Sequence, residues 1–248
     1  MRILLINPNT TAAVTDLLVA AARPVAAAET ELVPHTARIG FPYISSRAEA
    51  QLAGAHLLEI LAERSGEADA AIVAAFGDPG LQPARELFDL PVIGMSEAAM
   101  LTACLLGGRF GIVTFSTSLA PWYRDCVALN GLLGRCSGIR TLEGPFRDIA
   151  AVQEEKEELL VALAARAVEE DGAEVVILAG APLAGLAPRV ADRVAVPLVD
   201  PIAAAVKQAE AVVSLAPRKA RAGGFARPAP KPSTGLAPAL AAWIAGER

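Results

Sequence analysis

Ala71-Ile72-Val73-Ala74-Ala75-Phe76-Gly77-Asp78-Pro79-Gly80-Leu81 and Val175-Val176-Ile177-Leu178-Ala179-Gly180-Ala181-Pro182-Leu183-Ala184-Gly185-Leu186 read as two copies of one strand and turn. Gly80-Leu81 matches Gly185-Leu186 at an offset of 105 residues (185 − 80). Arg2-Ile3-Leu4-Leu5-Ile6 matches Arg109-Phe110-Gly111-Ile112-Val113 at 107 (109 − 2), and Pro91-Val92-Ile93-Gly94 matches Pro197-Leu198-Val199-Asp200 at 106 (197 − 91). An internal duplication of this kind predicts two similar halves with equivalent loops facing each other across a cleft. At this spacing Ala75 stands opposite Gly180.

Short apolar runs of the kind buried on both faces alternate with segments of helical period, the pattern of parallel βα units. The pattern predicts strands at 3–6, 30–34, 70–75 and 91–95 in the first half and at 110–114, 139–142, 174–178 and 196–199 in the second. Helices are predicted at 11–22, 47–63, 96–106, 119–132, 149–170 and 201–214. The expected fold is therefore α/β, with two pseudo-symmetric domains, each a four-stranded parallel sheet flanked by helices, and the site in the cleft between them. Residues 1–99 plus 205–248 are expected to form the first domain and 100–204 the second.

Strand ends pass into helices through recognisable caps: Asp78-Pro79 and Asp200-Pro201 place an acid before proline, and Asn9-Thr10 and Ser116-Thr117-Ser118 offer capping oxygens. Ligands of open α/β sheets bind outside the carboxyl ends of the strands, where helix N-termini present free N–H groups. From Ala216 the texture changes to an extended arm in which Arg218, Lys219, Arg221, Arg227 and Lys231 are interleaved with Pro228, Pro230 and Pro232. The apolar stretch from Leu236 to Ile244 that follows is expected to be helical and to dock on its own first domain.

A chain of 248 residues with 54% hydrophobic and 20% charged residues supports a substantial core. No apolar run approaches the ~18 residues of a membrane span, and Ile3-Leu4-Leu5-Ile6 is broken by Asn7-Pro8-Asn9 before it could form a signal-peptide core. Cys104, Cys126 and Cys136 show neither metal nor redox spacing, and with two histidines, His35 and His56, a zinc site is not expected. A net charge of −5 without a basic stripe in the body argues against nucleic acid. The expectation is a cytoplasmic protein with a small-molecule partner and no metal.

The segments Ile6-Asn7-Pro8-Asn9-Thr10-Thr11, Phe76-Gly77-Asp78-Pro79-Gly80-Leu81, Gly94-Met95-Ser96-Glu97-Ala98-Ala99-Met100, Phe110-Gly111-Ile112-Val113-Thr114 and Ala184-Gly185-Leu186 occur in an order that resembles the aspartate/glutamate/hydantoin racemase superfamily, in particular its hydantoin and allantoin racemase branch. The resemblance implies an active site between two α/β domains, no cofactor and a homo-oligomer. It also implies a thiol at the end of the third strand of each domain, one taking the α-proton of a carbonyl compound and the other returning it from the opposite face. Residue matching puts these thiols at Ala75 and Gly180, and neither residue carries a proton.

Two-base racemisation needs an acceptor on each face of the carbon, so replacements must come from elsewhere. Asp78, Glu97, His35 and Tyr43 are the candidate acids and bases; for Asp78 and Glu97 the competing role is at a helix start. Asn7, Asn9, Thr10, Ala75, Phe76, Thr114, Ser116, Thr117, Gly180 and Ala181 are the candidate substrate contacts, holding a small carboxylate or cyclic ureide, or else capping helices. Tyr123 and Arg47 are further rim candidates. A racemase-like enzyme, a lyase such as a decarboxylase that needs one acid, and a binding protein without turnover all remain open.

Overall fold

The computed structural model describes residues 1–144 and 147–247. Among these residues eight strands form two separate four-stranded sheets in which every pairing is parallel. The first has the order β2-β1-β3-β4, with β1 at Arg2–Asn7, β2 at Glu31–Thr36, β3 at Ala70–Val73 and β4 at Val92–Gly94. The second repeats it as β6-β5-β7-β8, with β5 at Phe110–Thr114, β6 at Cys136–Thr141, β7 at Val175–Leu178 and β8 at Leu198–Val199. Ile6 pairs with Val73 in the first sheet and Val113 with Leu178 in the second, so the duplication read from sequence is a duplication of register.

The helices are α1 Ala12–Ala22, α2 Arg47–Arg64, α3 Leu81–Leu87, α4 Met95–Leu106, α5 Ala120–Leu129, α6 Val152–Glu169, α7 Leu186–Arg189, α8 Pro201–Ser214 and α9 Pro238–Ile244. Alternation along β1 divides the core: Ile3 and Leu5 face the main core with α1, α4 and α8, whereas Leu4 and Ile6 face a second core built with Leu57 and Leu61 of α2 and Leu81 and Leu87 of α3. Gln208 of α8 donates to Ala98 O (2.9 Å) and Thr102 Oγ1 (3.1 Å) of α4, tying together the helices that join the two sheets. Leu240 of α9 is buried in the second core, and Trp243 Nε1 donates to Ala62 O at 3.2 Å, so the C-terminal helix docks on α2.

Element edges shift from the expected ones where local interactions override the apolar pattern. The sixth strand begins at Cys136, three residues before the expected 139, because β6 follows β5 through a register shift at Phe110/Gly111. Strand β8 is reduced to Leu198–Val199, since proline at 197 has no N–H to donate to a ladder. Asp200 caps α8, accepting from Ile202 N and Ala203 N. Asp78 does not cap the helix that follows it: it takes a left-handed conformation, φ 49°, and α3 starts after Gly80, φ 79°.

Candidate functional site

Ala75 and Gly180, two residues beyond β3 and β7, border one cavity between the two sheets. Its wall also includes Asn9, Tyr43, Ile44, Phe76, Phe115, Trp122, Tyr123, Ile149, Ala181 and Pro182. Aromatic residues are 4% of the chain, yet among the described residues five line this one space: Tyr43, Phe76, Phe115, Trp122 and Tyr123. Phe76 and Tyr123 pack with ring centroids 4.7 Å apart, and Tyr43 reaches Phe115 across the cleft at 6.0 Å. The enclosed volume is about 30 Å³, room for a water rather than for an organic ring. A larger groove of about 480 Å³ lies on the outer side of the same turn, between Arg47, Gly54, Pro79 and Gly80, and shares Trp122 with the cavity. We assign the site to the smaller space because both duplicated strand ends meet there.

Of the residues expected to contact a ligand, Asn9, Ala75, Phe76, Gly180 and Ala181 line the cavity. Asn9 Oδ1 accepts from Asn7 Nδ2 (3.0 Å) and Thr11 N (2.9 Å), which leaves Nδ2 as its donor at the wall. Asn7, Thr10, Thr114, Ser116 and Thr117 do not line it. Asn7 is fully buried and bonded to Asn9 and Thr15, and Thr114 donates to Ala179 O at 2.9 Å, so both hold the strand ends in place. The amide of Thr10 donates to Phe41 O, and the Ser116 hydroxyl pairs with that of Ser118. Thr117 is exposed. The expected caps at 116–118 do not form either, because α5 starts at Ala120 without a side-chain cap.

Among the candidate acids and bases, Tyr43 is the one on the cavity wall. Asp78 is half-buried behind the turn, where its carboxylate accepts from Ser96 N (2.8 Å), Ser96 Oγ (2.6 Å) and Glu97 N (2.8 Å). Burial raises its pKa to about 6 against the pull of those donors. Glu97 forms a two-pronged ion pair with Arg85, whose Nε also donates to Val92 O. His35 lies on β2, outside the cavity, and its Nδ1 meets Arg64 Nη1 at 3.0 Å; burial and the neighbouring guanidinium hold its pKa down. Arg47 pairs with Asp125 and donates to Pro121 O, fastening α2 to α5.

None of Cys104, Cys126 and Cys136 lines the cavity. Cys126 Sγ donates to Gly77 O at 3.6 Å, and burial pushes its pKa up to about 12. Tyr123 shares a side-chain hydrogen bond with Thr114, and burial moves its pKa strongly upward. No lining residue among those described is Asp, Glu, Lys, Arg or His. Among the described residues no group of three or more His, Cys, Asp and Glu forms a metal cluster and no helix is long and apolar enough to cross a membrane.

Sequence reasoning missed Phe115 and Trp122. The signal for Phe115 was its place two residues past the register pair Val113 and Leu178, beside Gly180. The signal for Trp122 was Gly77, φ 115°, whose backbone lies against the indole so closely that a β-carbon there would meet Cε2 at 2.6 Å.

The family model described as Asp/Glu/Hydantoin racemase matches residues 3–209. A hydantoin racemase of Paenarthrobacter aurescens is 34% identical over 236 residues, covering 93% of this chain and 99% of the relative. A hydantoin racemase of Rhizobium meliloti is 34% identical over 239 residues, covering 95% and 98%. The solved structure of an allantoin racemase from Klebsiella pneumoniae superposes with a TM-score of 0.91 at 34% identity, covering 97% of this chain and 98% of that one. An arylmalonate decarboxylase structure, at TM-score 0.61 and 19% identity, shares the fold.

Proposed function

Because this chain belongs to the Asp/Glu/hydantoin racemase family, we propose that it takes a small cyclic ureide or carboxylate between its two halves and acts on it as an isomerase-type, cofactor-independent protein that works without thiols. The observation that carries this reading is the meeting of both duplicated strand ends, Ala75 and Gly180, at one cavity. The halves, 1–99 with 205–248 and 100–204, part to admit the ligand, since the closed cavity of about 30 Å³ holds no ring.

Tyr43 is the first proton carrier to test, because its hydroxyl side chain belongs to the wall. Asp78 and Glu97 serve the site as positioning residues through the turn and helix that they hold, and His35 is engaged with Arg64 outside it. Tyr123, the other tyrosine of the wall, is engaged with Thr114, so Tyr43 alone supports one-sided chemistry: exchange at a single face, or protonation of a carbanion after loss of carbon dioxide. A second reading, binding without turnover, is favoured by the ring of Phe115 packed at Gly180.

The exposed leucines Leu101, Leu105 and Leu106 of α4 and Leu129 and Leu133 at the end of α5 support a homo-oligomer. Three free cysteines support a reducing, cytoplasmic setting.

The test is NMR in deuterated water with hydantoins, allantoin, amino acids and substituted malonates, following α-proton loss and ligand line width together. Exchange or decarboxylation that falls in Tyr43→Phe supports the enzyme reading. Broadening without exchange selects the binding reading, and neither signal with any of the probes rejects both.

A further inference from the structure

We propose that Phe115 seals one of the two faces of this cavity, the Gly180 face, and so decides from which side a bound carbon is reached. The seal follows from comparing two places that the duplication makes equivalent. Two residues beyond the pair Ile6 and Val73 lie Pro8 and Ala75; two residues beyond Val113 and Leu178 lie Phe115 and Gly180. The backbones are tied alike, with Ala74 N donating to Ile6 O and Ala179 N to Val113 O, both at 2.8 Å. The side chains are not alike.

In the first sheet a compact proline ring accompanies a methyl group, and the methyl of Ala75 borders the cavity. In the second sheet a benzyl group accompanies no side chain at all. An ideal β-carbon on Gly180 would lie 2.6 Å from Phe115 Cε1 and 3.2 Å from Cδ1, closer than packed atoms approach. Gly180 also has φ 118° and ψ 137°, a backbone conformation that L-residues rarely adopt. The ring has little room to retreat: Phe115 is 2% exposed, Tyr43 packs against it from the other half, and the preceding Thr114 is hydrogen-bonded to Ala179 O at 2.9 Å. The duplicated fold thus presents two strand ends to one cavity, one carrying a methyl group and the other a phenylalanine ring packed where a side chain would stand.

A ligand with a stereocentre then fits in one sense, its hydrogen toward Ala75 and the Phe115 ring against its other face. This consequence rests on the ligand reading above, whereas the seal itself does not. The experiment has two arms that separate them. In the first, the separate enantiomers of 5-methylhydantoin are added to the wild-type protein and to Phe115→Ala, and ligand line width and α-proton exchange are followed. The wild type should favour one enantiomer by about tenfold or more, and Phe115→Ala should bring the ratio close to one. A wild type that treats both alike, or a ratio that survives Phe115→Ala, overturns the proposal; binding gained only in Phe115→Ala supports it.

If neither protein takes either probe, the ligand reading fails for hydantoins and the second arm decides the seal. Gly180→Ala is made in the wild type and in Phe115→Leu, a milder variant, and thermal unfolding is compared. A seal predicts that Gly180→Ala lowers Tm much more beside phenylalanine than beside leucine, because the backbone strain is common to both and the clash is not. Equal shifts overturn it.

Discussion

Asp78 caps the helix that begins beyond Gly94, and its carboxyl group lies where a side chain at Gly94 would stand. The other half makes the same junction in reverse. At the position matching Gly94, offset by 106 residues (200 − 94), Asp200 caps α8 from its own start and reaches back to Gly185 N at 2.6 Å. One carboxylate per half links the turn after the third strand to the helix after the fourth, and only its point of attachment has changed. Asp78 therefore governs the position of the Ala75 turn without lining the cavity.

Removing that link should be costly. Asp78→Ala leaves Ser96 N, Ser96 Oγ and Glu97 N without their acceptor, and the expected loss is about 2–4 kcal/mol in urea unfolding. The pH dependence is also defined. The folded-state pKa of about 6 lies above the ordinary 3.8, so between these values the folded protein binds the extra proton. The contribution is complete below about pH 4 and is lost as pH rises through about 6. Asp78→Asn should remove that slope, and identical stability-versus-pH curves for the two proteins would rule out this titration.

Gly77→Ala should destabilise by about 2–4 kcal/mol, combining a positive φ with a β-carbon driven into the Trp122 indole. Trp122 belongs to α5 of the second half and Gly77 to the turn of the first, so the same variant should increase quenching of Trp122 by acrylamide when read in a Trp243→Phe background. Unchanged stability and quenching would show that the contact does not hold the two halves closed.

The fold was legible because buried parallel strands leave runs such as Ala70–Val73 and Val175–Leu178, and because the duplication repeats them at nearly constant spacing. The candidate site was legible only in part. Ala75 and Gly180 could be placed by the same spacing, but the role of Asp78 could not, since Ser96 and Glu97 are distant in sequence and no local pattern reports a cap supplied from another turn. Phe115 read as one more apolar residue at a strand end; only its register against Gly180 reveals that it fills the cavity. His35, a candidate acid or base just past the predicted strand 30–34, is carried to the Arg64 side because β2 extends to Thr36.

The thiols give an independent check on the burial behind the site. Cys126, with its pKa pushed up to about 12 by burial, should not react with a disulfide reagent at neutral pH until the protein unfolds. Cys104 and Cys136 are both partly exposed, so they should be labelled before Cys126. Mass spectrometry of briefly labelled native protein reads the order directly. Early labelling of Cys126 would mean that α5 leaves the Gly77 turn readily, and that the closed cavity is a minor state.

The C-terminal arm is fastened to the outer core through Trp243, which stacks edge-on against Phe88 at 5.0 Å, donates to Ala62 O and lies 4.7 Å beneath the Arg227 guanidinium. Lys219 Nζ donates to Glu86 O at 2.8 Å and also to Arg85 O, and Arg227 donates to Leu87 O, so arm cations meet three successive carbonyls at the end of α3. Trp243→Ala should cost about 2–3 kcal/mol for a half-buried indole. It should also speed tryptic cleavage at Arg218, Lys219 and Arg221, because the arm is held from its far end. Hydrogen exchange in α3 should rise with it, since α3 continues directly from the Ala75 turn. Faster cleavage without faster exchange in α3 would confine the arm to covering Leu57 and Leu61, whereas both together would make it a support of the candidate site.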